Sequence, residues 1–308
     1  MALSNNVKGA LYMMMAMATF TCNDALVKSL TPVMNTGQII FLRGLMTTVL
    51  LLLLAWRLKA LRHPRVMLQP ALIGRTIFDA LATVAYLLAL RDMPIANTSS
   101  ILQSLPLAVT FGAAIFLHEP VGWRRWTAIL VGFLGVLVIL RPGPEGYGLS
   151  AIFVVLTVLF AAGRDLTTKL VHADTPSTTV SAYSCAIITL VGAALIEPLG
   201  VWQPVSGHSW AVLAVTSVLV LGGYQGIVMA MRTAEISFIA PFRYTSLLWA
   251  ILMGYLMFAD IPDVWMIVGA TIVIGSGLYT FYRENKTRSQ SAVSQRASVG
   301  PNPWKVRP

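Results

Sequence analysis

Charge is scarce in this sequence, since only 11% of its 308 residues are Asp, Glu, Lys or Arg, whereas a soluble domain carries roughly a quarter. Apolar residues make up 56% of the chain. Long connections between the apolar segments are also missing, and the longest, 57–69 and 197–208, are too short to fold alone. These absences exclude an ordinary soluble domain and indicate a polytopic membrane protein that works inside its helix bundle.

Cysteine, histidine and catalytic motifs are equally sparse. The two cysteines, Cys22 and Cys185, lie in apolar segments and are expected to pack as small apolar side chains rather than form a disulfide. The histidines are dispersed, without metal-ligand spacing or an HExxH helix: His63, His118, His172 and His208. Since no Gly-rich loop leads from a strand into a helix, we expect no cofactor, no metal site, no enzymatic activity and no direct use of ATP.

Ten segments are long and apolar enough to cross a bilayer, which takes about twenty residues. They are residues 10–30, 37–56, 70–90, 95–117, 123–140, 149–170, 177–196, 209–231, 236–258 and 263–282. The short connections between several of them make neighbouring segments antiparallel. The tail after Tyr282 is polar without an apolar period, and this predicts a disordered end.

The sequence repeats itself at an offset of 141 residues, so that Glu119 aligns with Asp260 and Arg91 with Arg232. The same shift aligns ionisable residues of the first and sixth segments: Asp24 with Asp165 and Lys28 with Lys169. Each copy contains five spans. The predicted organisation is therefore a first repeat of residues 1–141, a second repeat of residues 142–282 and a tail of residues 283–308.

Lys and Arg in the short connections predict the orientation of the chain. One side holds most of them: Lys8, Arg57, Lys59, Arg62, Arg65, Arg124, Arg125, Arg232 and the basic residues of the tail. The other side holds Arg91 and Arg141 between helices. We therefore expect both termini in the cytoplasm of a plasma (inner) membrane, with the basic loops contacting lipid headgroups and no nucleic acid as partner.

Five spans per copy is an odd number, so the second copy must enter the membrane inverted relative to the first. Inverted-topology repeats are typical of secondary transporters, in which a midplane site opens alternately to either side. The pattern favours transport by alternating access, while a channel or a scaffold built by duplication stays open as an alternative.

Several motifs of the first copy recur more loosely in the second. They are 94–102, 116–126 and 131–139 in the first copy and 236–249, 254–260 and 269–277 in the second. In this pattern the chain resembles the EamA repeat of the drug/metabolite transporter superfamily over residues 10–282, although Asp260 stands where that family usually has Glu. The resemblance implies an all-α fold of ten helices in two inverted five-helix halves, a central substrate cavity and movement of metabolites or amphipathic compounds.

Charged residues inside the spans are costly and so are candidates for function. Arg75 and Asp79 lie four residues apart on one helix face and could pair with each other or handle substrate or protons, with Asp79 the best proton carrier. The same spacing predicts pairs at the helix ends: Asp24 with Lys28 and Asp165 with Lys169. These would set the depth of their helices or gate the two mouths of the cavity.

Arg243 is the strongest candidate for substrate binding, because it follows the potential kink at Pro241 and precedes Tyr244 and Trp249. A guanidinium beside aromatic rings suits a carboxylate or a planar ring. The alternative is an arginine that extends to the cytoplasmic interface. Further candidates for the substrate site are Gln103, which aligns with Tyr244 under the 141-residue shift, and Tyr86, Tyr224, Gln225 and Arg43.

Together these observations predict a secondary transporter that exports a small amphipathic or zwitterionic metabolite, with a proton or a counter-substrate as a possible coupling partner. An importer of a planar or cofactor-like compound, such as a flavin or S-adenosylmethionine, is the second hypothesis. A passive channel or facilitator is the third.

Overall fold

In the computed structural model, which describes residues 5–119, 121–141, 148–171 and 175–298, all regular elements are helices. Nine helices of the described part have the length and composition of a membrane span. The predicted ninth span is present as well, but it is broken into shorter pieces. The chain is an all-α polytopic membrane protein. Predictions that involve Pro120, 142–147, His172 or 299–308 lie outside the described residues.

The spans are numbered α1 to α10 in chain order. They are α1 (Asn5–Leu30), α2 (Thr36–Arg57), α3 (Pro70–Asp92), α4a (Ile95–Leu102), α4b (Leu105–Phe116), α5 (Trp123–Leu140), α6 (Gly148–Lys169), α7 (Ser177–Ala194), α8 (Gly207–Thr233), α9a (Ile236–Ile239), α9b (Thr245–Phe258) and α10 (Val264–Ser298). A short 3₁₀ helix, Pro64–Leu68, lies between α2 and α3.

The fourth and ninth spans are both broken at equivalent positions. A turn at Gln103 and Ser104 separates α4a from α4b, and Pro106 lies in the first turn of α4b. A 3₁₀ stretch, Ala240–Tyr244, separates α9a from α9b and contains Pro241. Since proline lacks an N–H and its ring clashes with the preceding turn, each proline favours a break near it. The two prolines are not aligned by the 141-residue shift, yet Gln103 and Tyr244 are.

The last helix continues to Ser298, beyond the predicted end of the tenth span at Tyr282. The prediction is a disordered tail from residue 283, whereas helix α10 runs on through 283–298. Nine of the sixteen residues from 283 to 298 are Arg, Gln, Ala, Glu or Lys, which have high intrinsic helix propensity, so a helix can continue there without an apolar face to bury.

The principal helix contacts follow a two-fold pattern. α1 packs on α8 as its counterpart α6 packs on α3, and α1 packs on α9 as α6 packs on α4. α2 packs on α7, α4 on α9 and α5 on α10, so each of these spans contacts its own repeat counterpart. Apart from α5 and α10, the contacts close into a ring in the order α2, α8, α1, α9, α4, α6, α3, α7. An apolar cluster that includes Ile101, Ile139 and Val158 joins α5 and α10 to α4 and α6.

Residues exactly one repeat apart touch where α2 crosses α7. The hydroxyls of Thr48 and Thr189 lie 3.5 Å apart, and the Cys185 thiol lies 3.6 Å from the Gly44 carbonyl oxygen. Both cysteines are free thiols, as predicted. Contacts between equivalent residues place a local two-fold axis of the bundle between α2 and α7.

The helix ends that precede the repeated acidic residues also have one geometry. His118 and Ala259 both adopt left-handed backbone conformations with φ of 53°. The N–H of Glu119 then donates to the Ala113 carbonyl at 3.2 Å, and the N–H of Asp260 donates to the Gly254 carbonyl at 3.0 Å. A left-handed residue that closes such a bond is a common helix C-cap. Glu119 and Asp260 therefore leave their helices with the same backbone geometry.

Candidate functional site

A cavity of about 340 Å³ opens beside the breaks in the fourth and ninth spans, and we call it the main cavity. Both repeats contribute to its wall. Polar or charged lining residues are Gln103, Thr110, Glu119, Arg125, Asp165, Lys169, Arg243, Tyr244, Ser246 and Thr280. The lining runs from the middle of the spans to the side where α1 begins, which we call the amino-terminal side.

The two broken spans are tied together at the inner end of the main cavity. The Gln103 side-chain amide donates a hydrogen bond to the Ser246 hydroxyl at 2.6 Å. Gln103 is buried, and its bond joins residues that belong to different repeats. Because the bond links the turn of α4 to the first residues of α9b, it fixes how far apart the two breaks lie.

Arg243 lies in the wall of the main cavity and is exposed there. Its guanidinium has no hydrogen bond or ion pair with any described residue, in contrast to Arg75 and Arg164. A guanidinium inside a span is costly unless it has a partner or water. The cavity supplies the water and leaves the donor fork of Arg243 available to a ligand.

Tyr244 presents a second unused polar group. The side chain is 8% exposed, and its hydroxyl has no hydrogen-bond partner among the described residues. The hydroxyl rests against Gly277 of α10, where an added Cβ would collide with it. Since a buried hydroxyl without a partner typically costs about 1–3 kcal/mol, a ligand or a small rotation that supplied one would be favoured.

The charged side chains at the mouth of the main cavity form different ion pairs from those predicted. Lys169 forms an ion pair with Glu119 at 3.1 Å, and Asp165 pairs with its neighbour Arg164 at 2.9 Å. The predicted pair of Asp165 with Lys169 is therefore wrong. Arg164 is next to Asp165 in sequence, and α4b ends close to α6, so each charge has a nearer partner than the one a turn away.

A smaller cavity of about 110 Å³, the side cavity, lies among α2, α3, α7 and α8. It is lined by Arg43, Arg75, Asp79 and Tyr224, all of which the sequence analysis named as candidates. The predicted Arg75–Asp79 pair is confirmed at 3.8 Å. Tyr224 packs edge to face on Phe20, with ring centroids 5.6 Å apart.

A chain of ion pairs connects the two cavities. Asp79 of the side cavity also pairs with Arg164 at 3.3 Å, and Arg164 pairs with Asp165, which lines the main cavity. Arg164 is not among the site residues predicted from the sequence. Its position next to Asp165 in an apolar segment was the available signal, but a sequence pattern cannot show that its guanidinium reaches across to α3.

Asp24 and Lys28 do not pair with each other, contrary to the prediction. Asp24 accepts a hydrogen bond from the Tyr86 hydroxyl at 2.7 Å and another from the Asn23 amide at 2.9 Å. Lys28 instead donates to the carbonyl oxygens of Leu90, at 3.1 Å, and Met93. Carbonyls at a helix C-terminus lack intrahelical partners, so an ammonium group within reach is stabilised there.

Three candidates for the substrate site, Trp249, Gln225 and Tyr86, line neither cavity. Trp249 packs in a small apolar cluster with Met13 and Met17, and Gln225 is exposed on α8 without lining either cavity. Tyr86 lies in neither wall, although it contacts Asp24. Conversely, Ser246 and Gly277 line the main cavity without being predicted. A serine or glycine in an apolar span has no distinguishing sequence signal.

The geometry of the main cavity suits a small ligand that carries an anionic group. The N-terminal ends of α4b and α9b border it through Leu105 and Ser246, and helix N-termini carry a partial positive charge. Arg243 adds a full charge. In transporters, half-helix N-termini at broken spans commonly face anionic substrate groups. Within the described residues, no cluster of His, Cys, Asp or Glu could hold a metal ion.

Comparison with known proteins agrees with this architecture. The profile of the EamA-like transporter family matches residues 7–141. A riboflavin transporter of Vibrio cholerae is 31% identical over 66% of this chain and 68% of its own length. The chain belongs to the EamA family of drug/metabolite transporters.

Other relatives of this EamA protein have different names. An S-adenosylmethionine uptake transporter of Rickettsia felis is 25% identical over 96% of this chain and 99% of its own length. The pseudopaline exporter CntI of Pseudomonas aeruginosa is 27% identical over 86% of this chain and 93% of its own length. These names cover both uptake and export.

Two further matches concern fold alone. A crystal structure shares the fold with a TM-score of 0.61 at 14% identity, covering 87% of this EamA chain and 94% of the other. The profile of the ribosomal protein S5 C-terminal domain matches residues 132–194. That stretch runs through part of α5 and all of α6 and α7, so it does not correspond to a separate folding unit.

Proposed function

We propose that this protein is a secondary transporter of the inner membrane that exports a small amphipathic or zwitterionic metabolite by alternating access. The observation that carries the proposal is the main cavity, which lies between two broken spans of different repeats and contains Arg243, an arginine without a hydrogen bond or ion pair to the described residues. Broken helices at a repeat interface are where secondary transporters bind substrate. We further propose that both termini lie in the cytoplasm, so that the amino-terminal side is cytoplasmic.

The cavity chemistry supports a substrate with a carboxylate at one end. Its carboxylate would bind the Arg243 fork, with Tyr244 as a further hydrogen-bonding group. The apolar wall at Val109 and Phe281 would contact the body of the molecule. Glu119 at the mouth offers a carboxylate to an amino group. A cavity of about 340 Å³ lies at the lower end of the range for small-molecule sites, which is about 300–1,000 Å³.

We propose Asp79 as the group that couples transport to protons. It is held between Arg75 and Arg164, and Arg164 connects it to Asp165 in the wall of the main cavity. Protonation of Asp79 would release both arginines and change the charge at both cavities. Asp79→Asn is expected to abolish the pH dependence of flux. Flux of that variant that still follows pH as in the wild type would rule Asp79 out.

Import of a planar or cofactor-like compound is the second candidate, and the names of the relatives favour it. The Rickettsia felis relative is named for S-adenosylmethionine uptake and the Vibrio cholerae relative for riboflavin. Tyr244 and Phe281 offer aromatic faces to a planar ring. A passive facilitator is distinguished from either carrier by counterflow, since a channel shows no trans-stimulation.

The first test compares metabolite profiles of cells and medium from strains that express the wild type, the Arg243→Ala variant or neither. Accumulation of a compound in the medium with the wild type alone would give the substrate, support export and support Arg243 as its ligand. Depletion from the medium would favour import. Membrane levels of both proteins must match, and Arg232→Ala serves as the control because Arg232 lies outside the cavity wall.

An identical shift with wild type and Arg243→Ala would show that Arg243 does not bind the cargo. Absence of any shifted compound, with protein present in the membrane, would count against metabolite transport in either direction.

A further inference from the structure

Two lysines, one per repeat, lie at opposite ends of the bundle. Lys169 ends α6 on the amino-terminal side, and its counterpart Lys28 lies near the end of α1 on the opposite side. Each lysine has an acidic residue of the other repeat near it. Glu119 follows α4b, and its counterpart Asp260 follows α9b, with the same capped geometry before both.

Although the four residues are related by the repeat, their contacts in this structure are not. On the amino-terminal side Lys169 and Glu119 form an ion pair, and their side chains are 47% and 48% exposed. On the opposite side no ion pair joins Lys28 to Asp260, both of which are described. Lys28 lies over the ring of Phe258, two residues before Asp260, at 5.5 Å from the ring centroid.

Lys28 instead connects two helices of its own repeat, α1 and α3. Its ammonium donates to the carbonyls of Leu90 and Met93 at the end of α3, and Lys28 is less exposed than Lys169. The counterpart carbonyls of the second repeat are those of Met231 and Ala234, at the end of α8. Among the described residues, Lys169 donates to Glu119 and to neither of these carbonyls.

The difference correlates with access. The main cavity reaches the amino-terminal side, where Glu119 and Lys169 are part of its wall. On the opposite side, Lys28 holds α1 to the end of α3, and Leu90 and Met93 there are fully buried. Thus the side that the main cavity reaches has a lysine paired with an acid, and the opposite side, where Leu90 and Met93 are buried, has a lysine on backbone carbonyls.

We infer that Lys28 and Lys169 exchange these two arrangements when the transporter changes the side to which it is open. This rests on the proposed function. Inverted repeats reach the opposite-facing state when each half adopts the conformation of the other. In that state Lys28 pairs with Asp260 at the open mouth, and Lys169 binds the carbonyls of Met231 and Ala234 and closes the amino-terminal side.

The exchange makes a directional prediction that a static pairing does not. Glu119→Gln removes an ion pair of the present state, and Asp260→Asn removes one that forms in the opposite state, since in the present state Asp260 acts on Lys28 only from beyond ion-pair distance. The two neutralisations should therefore shift the population in opposite directions. For half-exposed pairs, each shift is expected to be about threefold. A double variant should return close to the wild-type population.

The measurement uses a cysteine in place of Thr110, which lies in α4b and lines the main cavity. The two native cysteines are removed by Cys22→Ala and Cys185→Ala. An impermeant maleimide is applied to membrane vesicles from the amino-terminal side. Asp260→Asn should raise the labelling rate about threefold, and Glu119→Gln should lower it by a similar factor. Glu197→Gln is the control, because Glu197 is exposed and lines neither cavity.

Shifts in the same direction, or no shift in properly inserted variants, would overturn the exchange. Lys28→Met provides a second variant, because it removes the partner of Asp260, and Asp260→Asn added to it should leave the labelling rate unchanged. Labelling needs no substrate, so its outcome is independent of the cargo. Opposite shifts in labelling without detectable metabolite transport would support the exchange and contradict the proposed transport function. Transport with unchanged labelling would support the transport function and contradict the exchange.

Discussion

The breaks in α4 and α9 occupy equivalent positions but differ in how their polar groups are used. At the α4 break, Ser104 donates its hydroxyl to the Ile101 carbonyl, and Gln103 donates to Ser246. At the α9 break, Arg243 has no hydrogen bond or ion pair to the described residues, and the Tyr244 hydroxyl has no hydrogen bond to them. The polar side chains at the α4 break are hydrogen-bonded within the protein, whereas those at the α9 break can still bind a ligand in the cavity.

The difference indicates a division of roles between repeats that share one ancestry in sequence. Both provide a break and a half-helix end, and therefore the shape of the site. At the breaks themselves, the second repeat provides the guanidinium of Arg243 and the Tyr244 hydroxyl, which a ligand can use. Arg243 aligns with Leu102 and Gly277 with Val136, so these features are absent from the first copy.

Replacing Arg243 with lysine tests the α9 break most severely. Lysine keeps the charge but loses the planar donor fork, so substrate affinity is expected to fall about tenfold. The measurement is the concentration dependence of transport, in KM, in proteoliposomes. Leu102→Met, at the equivalent position of α4, should change KM less than twofold; a comparable loss there would remove the contrast between the breaks.

Gly277→Ala should displace the Tyr244 ring. The added Cβ would collide with the hydroxyl, and relief of this overlap would move the ring toward the cavity. We expect transport to fall about fivefold, consistent with an overpacking cost of about 1 kcal/mol. Gly275→Ala is the matched control, because a Cβ there meets nothing within 4 Å. Equal effects of both would indicate a general effect on α10 instead.

The hydrogen bond between Gln103 and Ser246 can be measured by a double-mutant cycle. Gln103→Ala and Ser246→Ala should each lower thermal stability in detergent, and together they should cost less than their sum by about 1 kcal/mol. Such coupling would show that the α4 break mainly holds the repeats together. Additive effects would mean that the bond contributes nothing to the junction.

Tyr244→Phe should have the smallest effect and should separate stability from transport. Removing a buried hydroxyl without a partner is expected to leave thermal stability unchanged or raise it slightly. Transport should fall about threefold if the hydroxyl binds substrate, in keeping with one neutral hydrogen bond. Tyr255→Phe, on the 61% exposed Tyr255, is the control. A loss of stability without a loss of transport would assign the hydroxyl to the fold.

Much of the fold follows from sequence because membrane spans are local features. A run of apolar residues has to form a helix that satisfies its own backbone, so the existence and order of the spans were predictable. The break at Pro241 was foreshadowed by the proline itself. The continuation of α10 to Ser298 was not predicted, because helix propensity in a polar stretch gives only a weak signal.

The candidate site was less predictable. Gln103, Arg243 and Tyr244 were predicted and do line one cavity. The pairings of Lys28 and Lys169 were predicted wrongly, since spacing along one helix cannot show a better partner on a neighbouring helix.

By itself, the sequence determined that this chain is an inverted duplication of apolar spans with charges placed inside them. Apolar length and repeat offset are properties of the chain alone, and the cost of burying charge makes each internal Arg, Lys or Asp conspicuous. Only the tertiary structure decided which of these charges are paired. Ion pairs form between atoms within about 4 Å, and that proximity arises from the packing of helices far apart in sequence. Packing alone therefore left Arg243 available to a ligand while it linked Asp79 to Arg164.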